Sequence, residues 1–481
     1  MQLTPSDLQK FFKPKHIAIV GVSTGAYKFG GTSFLMKLQD AGYAGKLYPI
    51  NPKASEVRGL KAYPDLLSLP EIPDLAMVCV AARFVPSVLE QCARIGLKHI
   101  HILTSGFKET GLQEGKLLEA QIFAISKQKG LKIIGPNCMG PYCPSSRLTA
   151  WGAIPGLSGP VGVISQSGGL TQRLTEYAAS LGIGVEKAVS FGNGTVLESP
   201  DFLEAMAADE KVRVIAMYLE SVQDSRRLLR VAAQVARSKP VILWKGGESE
   251  AGASTAASHT GAMAGEQKLW DAFFRQTGVI PVRSMNEYVD AIMALSLLPA
   301  PAGKGVFIIG GGGGNSVAYS DIFCREGLAV PPLAESSMTF LRQTVPLAGS
   351  IAGNPLDMWQ TFVDAGYLAK ILETGRKDPA VAMMMVDRLI PRPAFHVPDL
   401  PDPNPEIIDY INSRQDAMPV VFNIDADGGD PELAQKGAMM RAKFCKAGIP
   451  AFPSAERAAR ALYHLYRYHS RKKKMDNQAL T

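Results

Sequence analysis

The chain has 481 residues, of which 46% are hydrophobic and 20% charged, so it is long enough for about three domains that each bury a core. It contains no apolar run near the ~20 residues of a membrane span, and it does not begin with the basic and then apolar pattern of a secretory signal. The six cysteines lack the spacing of a metal site, so we expect a cytoplasmic protein without a membrane segment or a structural metal.

The formal net charge of +7 is concentrated at the end of the chain, where seven basic residues lie close together. These are Arg457, Arg460, Arg467, Arg471, Lys472, Lys473 and Lys474. Without them the body of the protein is nearly neutral. We therefore interpret residues 471–481 as a solvated basic tail and do not expect nucleic acid to be a partner.

Residues 1–145 alternate short apolar runs with helix-sized segments, which is typical of a βα fold. The runs predict strands at 16–20, 46–50, 75–80, 99–103 and 132–134. Loops and helices between them favour a parallel, doubly wound sheet. The first domain is therefore predicted to be Rossmann-like.

The first strand is followed by a glycine-rich loop that contains Gly21, Ser23 and Lys28. Such a loop brings backbone N–H groups close to a phosphate at the start of a helix, although it can also be only a tight turn. Its spacing departs from G-x-G-x-x-G, and the second strand ends at Asn51-Pro52-Lys53 instead of the acidic residue of an NAD site. A cation there suits a phosphorylated ribose such as that of CoA, so Lys53 and Lys28 are candidate phosphate partners.

A second series of strands, at 161–164, 212–219 and 240–244, predicts a second domain over residues 146–298. Pro299 to Lys304 then forms a linker of proline, alanine and glycine. A third series begins at 305–309, continues near 381–385 and 419–422, and ends in a helix from Ser454. We therefore predict three α/β domains in tandem, the last over residues 305–470.

The second domain opens with a strand that runs into Ser165-Gln-Ser167-Gly168-Gly169 and then into a helix. Two hydroxyls and the N–H groups of a helix N-terminus can hold a phosphate without a cationic side chain. The same pattern is common as a helix cap. Further along, His259 lies in a run of small residues, where a loop can approach another surface. A lone histidine is otherwise more often a packed or surface residue.

Several of these segments resemble the CoA-binding domain of succinyl-CoA synthetase α subunits and of nucleoside-diphosphate-forming acyl-CoA synthetases. They are the first glycine loop, Asn51-Pro-Lys53, Ala81-Ala82, Thr104-Ser-Gly-Phe107 and Gly135-Pro-Asn-Cys-Met-Gly140. The resemblance implies that CoA lies against Gly21, Ser23, Asn51, Lys53, Ala81, Ser105 and Asn137, with Lys28 as a further candidate.

The segment Ser258-His259-Thr-Gly-Ala-Met-Ala-Gly265 is similar to the active-histidine segment of the same synthetases. The resemblance implies that His259 carries phosphate and that Glu220, otherwise a solvated loop residue, orients its ring. It also implies that Ser165, Ser167, Gly168 and Gly169 hold the phosphate, and that the second and third domains are flavodoxin-like ligase-CoA domains.

No segment of the sequence reads as the ATP-grasp domain that binds nucleotide in this family. The resemblance therefore implies a separate ATP-grasp β subunit that holds ATP or ADP with Mg²⁺, in an assembly such as α2β2. The implied reaction interconverts acyl-CoA, a nucleoside diphosphate and phosphate with a small carboxylic acid, CoA and a nucleoside triphosphate. Two alternatives stay open: a non-catalytic CoA sensor or scaffold, and an NAD-dependent dehydrogenase on the same type of sheet.

Overall fold

A computed structural model describes residues 3–25, 30–149, 157–260, 267–310, 312–346, 349–358, 360–390, 402–414, 418–426 and 430–479, with the backbone alone at 257–260 and 478–479. The chain forms two compact units. The first comprises Met1–Ala179 and Gly184–Ser284, and the second comprises Ser180–Ile183 and Met285–Thr481. None of the described helices is long and apolar enough to cross a membrane.

The first sheet is built from β1 (His16–Val20), β2 (Lys46–Ile50), β5 (Leu75–Val78), β6 (His99–Ile102) and β7 (Lys132–Ile134), with a hairpin of β3 (Glu56–Val57) and β4 (Leu60–Lys61) beside it. All five strands are parallel, in the order β2-β1-β5-β6-β7. The helices of this region are α1 (Pro5–Phe12), α2 (Gly31–Asp40), α3 (Val85–Arg94) and α4 (Gln113–Lys129). The strands are almost continuously apolar and buried, as expected of a parallel sheet covered by helices.

The second sheet, also in the first unit, contains β8 (Gly140–Tyr142), β9 (Val161–Ser165), β10 (Val185–Ser190), β11 (Val214–Leu219), β12 (Val241–Lys245) and β13 (Ile280–Val282). The strand order is β13-β12-β11-β9-β10-β8, and all neighbours are parallel except β8, which is antiparallel to β10. Its helices are α5 (Gly168–Ser180), α6 (Ser199–Ala207), α7 (Ser225–Ser238), α8 (Glu250–Thr260) and α9 (Gln267–Thr277).

The second unit holds a parallel sheet of β14 (Val306–Ile309), β15 (Met383–Asp387), β16 (Val420–Asn423) and β17 (Ala451–Phe452), in that order. Its helices are α10 (Met285–Leu297), α11 (Gly312–Arg325), α12 (Glu335–Thr344), α13 (Gln360–Val363), α14 (Ala365–Lys377), α15 (Asn404–Asn412), α16 (Pro431–Lys446) and α17 (Ala455–Ala479). The closing helix α17 packs against α10 and α11. It continues through most of the basic run, and Lys473 and Lys474 are exposed on it.

Short polar side chains fix where several helices begin. Thr4 and Asp7 form a reciprocal capping box at the start of α1. Asp224, Asp364 and Asp430 cap α7, α14 and α16 by accepting hydrogen bonds from backbone N–H groups of the first turn. Asp224 and Asp430 thereby mark where α7 and α16 begin after strands β11 and β16.

The predicted α/β class and the parallel sheets are confirmed, and the strands at 16–20, 46–50 and 132–134 have the predicted bounds. β8 and β10 were not predicted. β8 is a short edge strand that contains glycine and proline, so it has no readable period. β10 has two charged residues after its first position that are nevertheless buried, with Glu186 paired to Lys13 and Lys187 paired to Asp209.

Candidate active site

The residues predicted to contact CoA lie along one edge of the first sheet. Gly21 and Ser23 follow β1, Asn51 and Lys53 follow β2, Ala81 follows β5, Ser105 follows β6, and Asn137 follows β7. Because these strands are parallel, their carboxyl ends meet at the same edge, which is where α/β proteins bind ligands. Lys28 lies outside the described residues. The structure therefore brings the other predicted cofactor residues to a common edge.

The loop after β1 is shaped by a glycine that the backbone requires. Gly21 has a φ of +96°, and a Cβ there would lie 2.7 Å from the carbonyl oxygen of Cys79. Asn51 connects this loop to the end of β2, since its Nδ2 donates to the carbonyl of Val22 over 2.7 Å. The Oδ1 of Asn51 accepts from the N–H of Lys53 over 2.7 Å, which holds the backbone of Lys53 and leaves its side chain exposed.

The loops after β6 and β7 are joined to their neighbours in the same way. The Thr104 hydroxyl donates to the carbonyl of Val80 over 2.7 Å, and the Asn137 N–H donates to the carbonyl of Thr104 over 2.9 Å. Asn137 adopts a left-handed φ of +59°, a conformation that asparagine tolerates better than most residues. The loops of three adjacent strands thus form a hydrogen-bonded edge.

Asn193, which sequence reasoning did not single out as a site residue, connects this edge to the second sheet. It is buried in the loop after β10, and its Nδ2 donates to Glu109 over 2.7 Å and to Glu119 over 2.9 Å. Its carbonyl accepts from the ammonium group of Lys108 over 3.1 Å and from Gln223 over 3.1 Å. No local pattern could reveal this residue, because its partners are more than 25 residues away in the sequence.

The predicted phosphate-binding residues lie where β9 runs into α5. The Ser165 hydroxyl accepts from the Ser167 N–H over 3.1 Å and donates to the Ser167 carbonyl over 2.9 Å. The Ser167 hydroxyl accepts from the N–H of Leu170 over 3.3 Å, so it caps α5. Gly168 and Gly169 form the first turn of that helix. We call Ser165–Gly169 the phosphate cradle.

Glu220 lies directly after β11, the strand next to β9, and only 7% of its surface is exposed to solvent. The hydroxyl of Tyr218 donates to Oε1 of Glu220 over 3.3 Å. Burial and the nearby Glu220 carboxylate raise the pKa of Tyr218, so its hydroxyl stays protonated and can donate. The sheet therefore places Glu220 beside the phosphate cradle, with its side chain held by a neighbouring tyrosine.

Lys245, at the end of β12, is a buried cation close to this site. Its ammonium group donates to the carbonyl of Gly246 and lies 5.4 Å from the centre of the Trp270 ring. Burial lowers the pKa of Lys245, and the carboxylates of Glu220 and Glu248 act in the opposite direction. In the sequence this lysine is visible only as the start of a Lys-Gly-Gly segment, and its contact with Trp270 in α9 forms only in the folded chain.

His259 was predicted to lie in a loop, but its backbone forms part of helix α8. Its side chain is outside the described part of the structure. Helix α8 packs against the short 3-10 helix Lys108–Thr110, which follows Ser105 in the loop after β6. The helix that carries His259 therefore lies next to the candidate CoA edge. Within the described residues, no cluster of three or more His, Cys, Asp or Glu side chains is placed to hold a metal ion.

Comparison with known proteins identifies related domains and related chains. A family described as a CoA binding domain matches residues 15–144, and a succinyl-CoA ligase-like flavodoxin domain matches residues 158–295. The α subunit of ADP-forming acetate–CoA ligase I from Pyrococcus furiosus is 36% identical over 476 residues, covering 97% of this chain and 99% of that protein. The ADP-forming acetate–CoA ligase of Methanocaldococcus jannaschii is 33% identical, and the match covers 98% of this chain but 64% of that protein.

A solved structure has the same fold over its whole length. It is a dinucleotide-forming acetyl-coenzyme A synthetase of Candidatus Korarchaeum cryptofilum in complex with phosphate and ADP, with a TM-score of 0.86, 32% identity and 99% coverage of both chains. These relationships support the synthetase interpretation over a dehydrogenase or a CoA sensor. The chain belongs to the family of ADP-forming acyl-CoA ligases and corresponds to their α subunit.

Proposed function

We propose that this chain binds CoA along the first sheet and carries phosphate on His259 during reversible formation of an acyl-CoA. The observation that carries the proposal is the arrangement within the first unit. The CoA edge, the phosphate cradle and Glu220 lie at carboxyl ends of parallel strands, and α8 packs against the loop that contains Ser105. One unit therefore contains a site for the thiol cofactor and a site for the transferred phosphate.

The described residues of the first sheet suit an extended, anionic cofactor. Gly21 has no side chain to obstruct a close approach, and the exposed Lys53 can pair with the ribose 3′-phosphate that distinguishes CoA from most adenine cofactors. Lys28 is a second candidate for the same phosphate. Ser23, Ala81, Ser105 and Asn137 follow neighbouring strands and would line the rest of the cofactor.

The proposed chemistry transfers phosphate in three reversible steps. Inorganic phosphate attacks the thioester carbonyl, so that a C–O bond forms, the C–S bond breaks and CoA leaves as the thiol. An imidazole nitrogen of His259 then attacks phosphorus, which forms a P–N bond and releases the carboxylic acid from the acyl phosphate. A nucleoside diphosphate finally accepts the phosphoryl group. Imidazole suits this role because its neutral form is well populated near pH 7.

Glu220 and the phosphate cradle have separate roles in the histidine step. The Glu220 carboxylate would accept a hydrogen bond from the ring nitrogen that does not attack, which fixes the tautomer and stabilises positive charge on the ring. The N–H groups at the start of α5, with the Ser165 and Ser167 hydroxyls, would stabilise the phosphoryl oxygens. Neither role requires a metal ion on this chain. We assign Mg²⁺ to the nucleotide on a partner.

A separate β subunit of the ATP-grasp type would supply the nucleotide site. The support is the difference in length among the relatives. The match covers 99% of the relative named as an α subunit, whereas it covers only 64% of a relative named as a whole ligase. The assembly we expect is an αβ complex such as α2β2, acting on a small carboxylic acid or its acyl-CoA.

Purification with and without the partner tests this function. We expect the isolated chain to bind CoA but not to form ATP from acetyl-CoA, ADP and phosphate, and we expect the complex to do so. Acetyl-CoA is the first probe, and a panel of other acyl-CoA substrates follows if it is inactive. ATP-dependent thioester formation by the pure, partner-free chain would refute the division of labour proposed here.

A further inference from the structure

Gln166 lies between the two serines of the phosphate cradle, and its side chain points to the segment that carries Glu220. Its Oε1 accepts from the N–H of Glu220 over 2.5 Å and from the N–H of Ser221 over 2.9 Å. Its Nε2 donates to the Ser221 hydroxyl over 3.2 Å. Gln166, Glu220 and Ser221 are each only 7% exposed to solvent, so water does not easily replace these hydrogen bonds.

The main chain of Gln166 makes a further connection to the same strand. Its N–H donates to the carbonyl of Tyr218 over 3.1 Å. The end of β11 is therefore connected to the cradle at Tyr218, Glu220 and Ser221. Removing the side-chain amide would leave two buried N–H groups without their acceptor, which favours a shift of the segment.

We propose that Gln166 is a positioning residue that sets the distance between the phosphate cradle and the Glu220 carboxylate during phosphorylation of His259. The inference rests on the proposed function, in which the cradle holds the phosphoryl group and Glu220 orients the imidazole. The attacking nitrogen and phosphorus react efficiently only if both groups are correctly placed, and a shift of about 1 Å can lower a rate by about a hundredfold. Gln166 acts through Glu220 and Ser221 and is not assigned a contact with substrate.

Two substitutions separate this role from a general effect on folding. Gln166→Met keeps the length of the side chain and removes its hydrogen bonds. Gln166→Glu keeps the shape and the acceptor oxygens, and the Ser221 hydroxyl can rotate to donate to it. The new carboxylate nevertheless lies beside Glu220 and the cradle, so it repels the phosphoryl group while it is ionised. Neighbouring negative charge raises the pKa of such a carboxyl group, so lower pH should relieve the repulsion.

The measurement is the rate at which His259 acquires label from labelled ATP and magnesium, in the complex with the partner subunit. We expect Gln166→Met to slow labelling by roughly tenfold to a hundredfold at every pH, with unchanged CoA affinity. We expect the deficit of Gln166→Glu to shrink as the pH falls from about 8 to about 6. Gln172→Met is the matched control, because the Gln172 side chain donates to Glu176 on an exposed face of α5, away from the cradle, and the variant should label normally.

Wild-type labelling rates in a Gln166→Met complex would overturn the positioning role, as would a Gln166→Glu deficit that is the same at every pH. CoA affinity, measured by calorimetry on the same preparations, shows whether the first unit is folded. If Gln166→Met does not fold, the isosteric Gln166→Glu variant decides the outcome through its pH dependence. A wild-type complex that acquires no label on His259 would refute the proposed function itself, which distinguishes that failure from failure of the positioning role.

Discussion

In the proposed function, Lys53 is the residue on which the choice of CoA over other adenine cofactors depends most. Its backbone is held by Asn51 and its side chain is exposed, so it can pair with a 3′-phosphate without rearrangement of the loop. We expect the chain to bind CoA more tightly than dephospho-CoA, and Lys53→Ala to remove most of a roughly tenfold preference. Calorimetric titration with CoA and dephospho-CoA measures this preference. Lys98→Ala, an exposed lysine before β6, serves as the control. Equal affinities in the native chain would contradict the assignment.

Asp7 is a buried carboxylate that connects α1 to the first sheet. It accepts from His99 over 2.8 Å, from the ammonium group of Lys132 and from Thr4. Burial alone would raise the pKa of Asp7, but the hydrogen bonds from Lys132, His99 and Thr4 hold that pKa well below its ordinary value. A carboxyl group whose folded pKa is depressed stabilises the folded state above its unfolded pKa, about 4, and loses that contribution as the pH falls.

Asp7→Asn should therefore lower the free energy of unfolding by about 2 kcal/mol at pH 7. The difference from the native chain should shrink as the pH falls below about 4. Urea unfolding of both proteins at a series of pH values measures this difference in the free energy of unfolding. Asp40→Asn is the control, since Asp40 is exposed at the end of α2. A constant difference across that range would show that the charge of Asp7 is not the source of the stability.

At the scale of elements, the start of α5 combines a capping role with a proposed anion-binding role. Ser167→Ala removes the cap and should lower the free energy of unfolding by about 1 kcal/mol. It should slow histidine phosphorylation only modestly, because the N–H groups at the start of the helix remain. Ser167→Asp should keep the cap but repel phosphate, so it should be stable and poorly phosphorylated. Ser167→Asn is the neutral control and should be stable and active. Phosphorylation of Ser167→Asp at the native rate would contradict a phosphate site here.

The sequence was sufficient to predict those strands and helix starts that depend on neighbouring residues in the chain. Buried strands such as β1 and β7 are apolar after their first residue, and the serine–glycine run at the start of α5 predicts a helix start, so both could be predicted. The edge strand β8 could not, because it is formed only when the chain after Asn137 pairs with β10. Gln166, Asn193 and Lys245 were not predicted as site residues for the same reason. Their partners come from other strands and helices, and one sequence does not reveal those contacts.

At the scale of the whole molecule, the proposed cycle moves a phosphoryl group between two sites. It leaves the acyl phosphate at the first unit and is accepted by the nucleotide on the partner. The first unit holds the CoA edge and the cradle, and the nucleotide is assigned to a partner chain. His259 is the residue that must connect the two. Its substitution should therefore stop the complete reaction while it leaves CoA binding nearly intact, because the predicted cofactor contacts lie in the first sheet.

Mass spectrometry of the phosphorylated peptide tests this central claim most directly. The complex is incubated with labelled ATP and magnesium and digested under mildly alkaline conditions, which preserve phosphohistidine. We predict an acid-labile, base-stable phosphate on His259, its loss with turnover in His259→Ala, and much slower labelling in Glu220→Gln, which keeps the shape of the side chain but removes its charge. Phosphate on a different residue, together with continued turnover by His259→Ala, would contradict the mechanism.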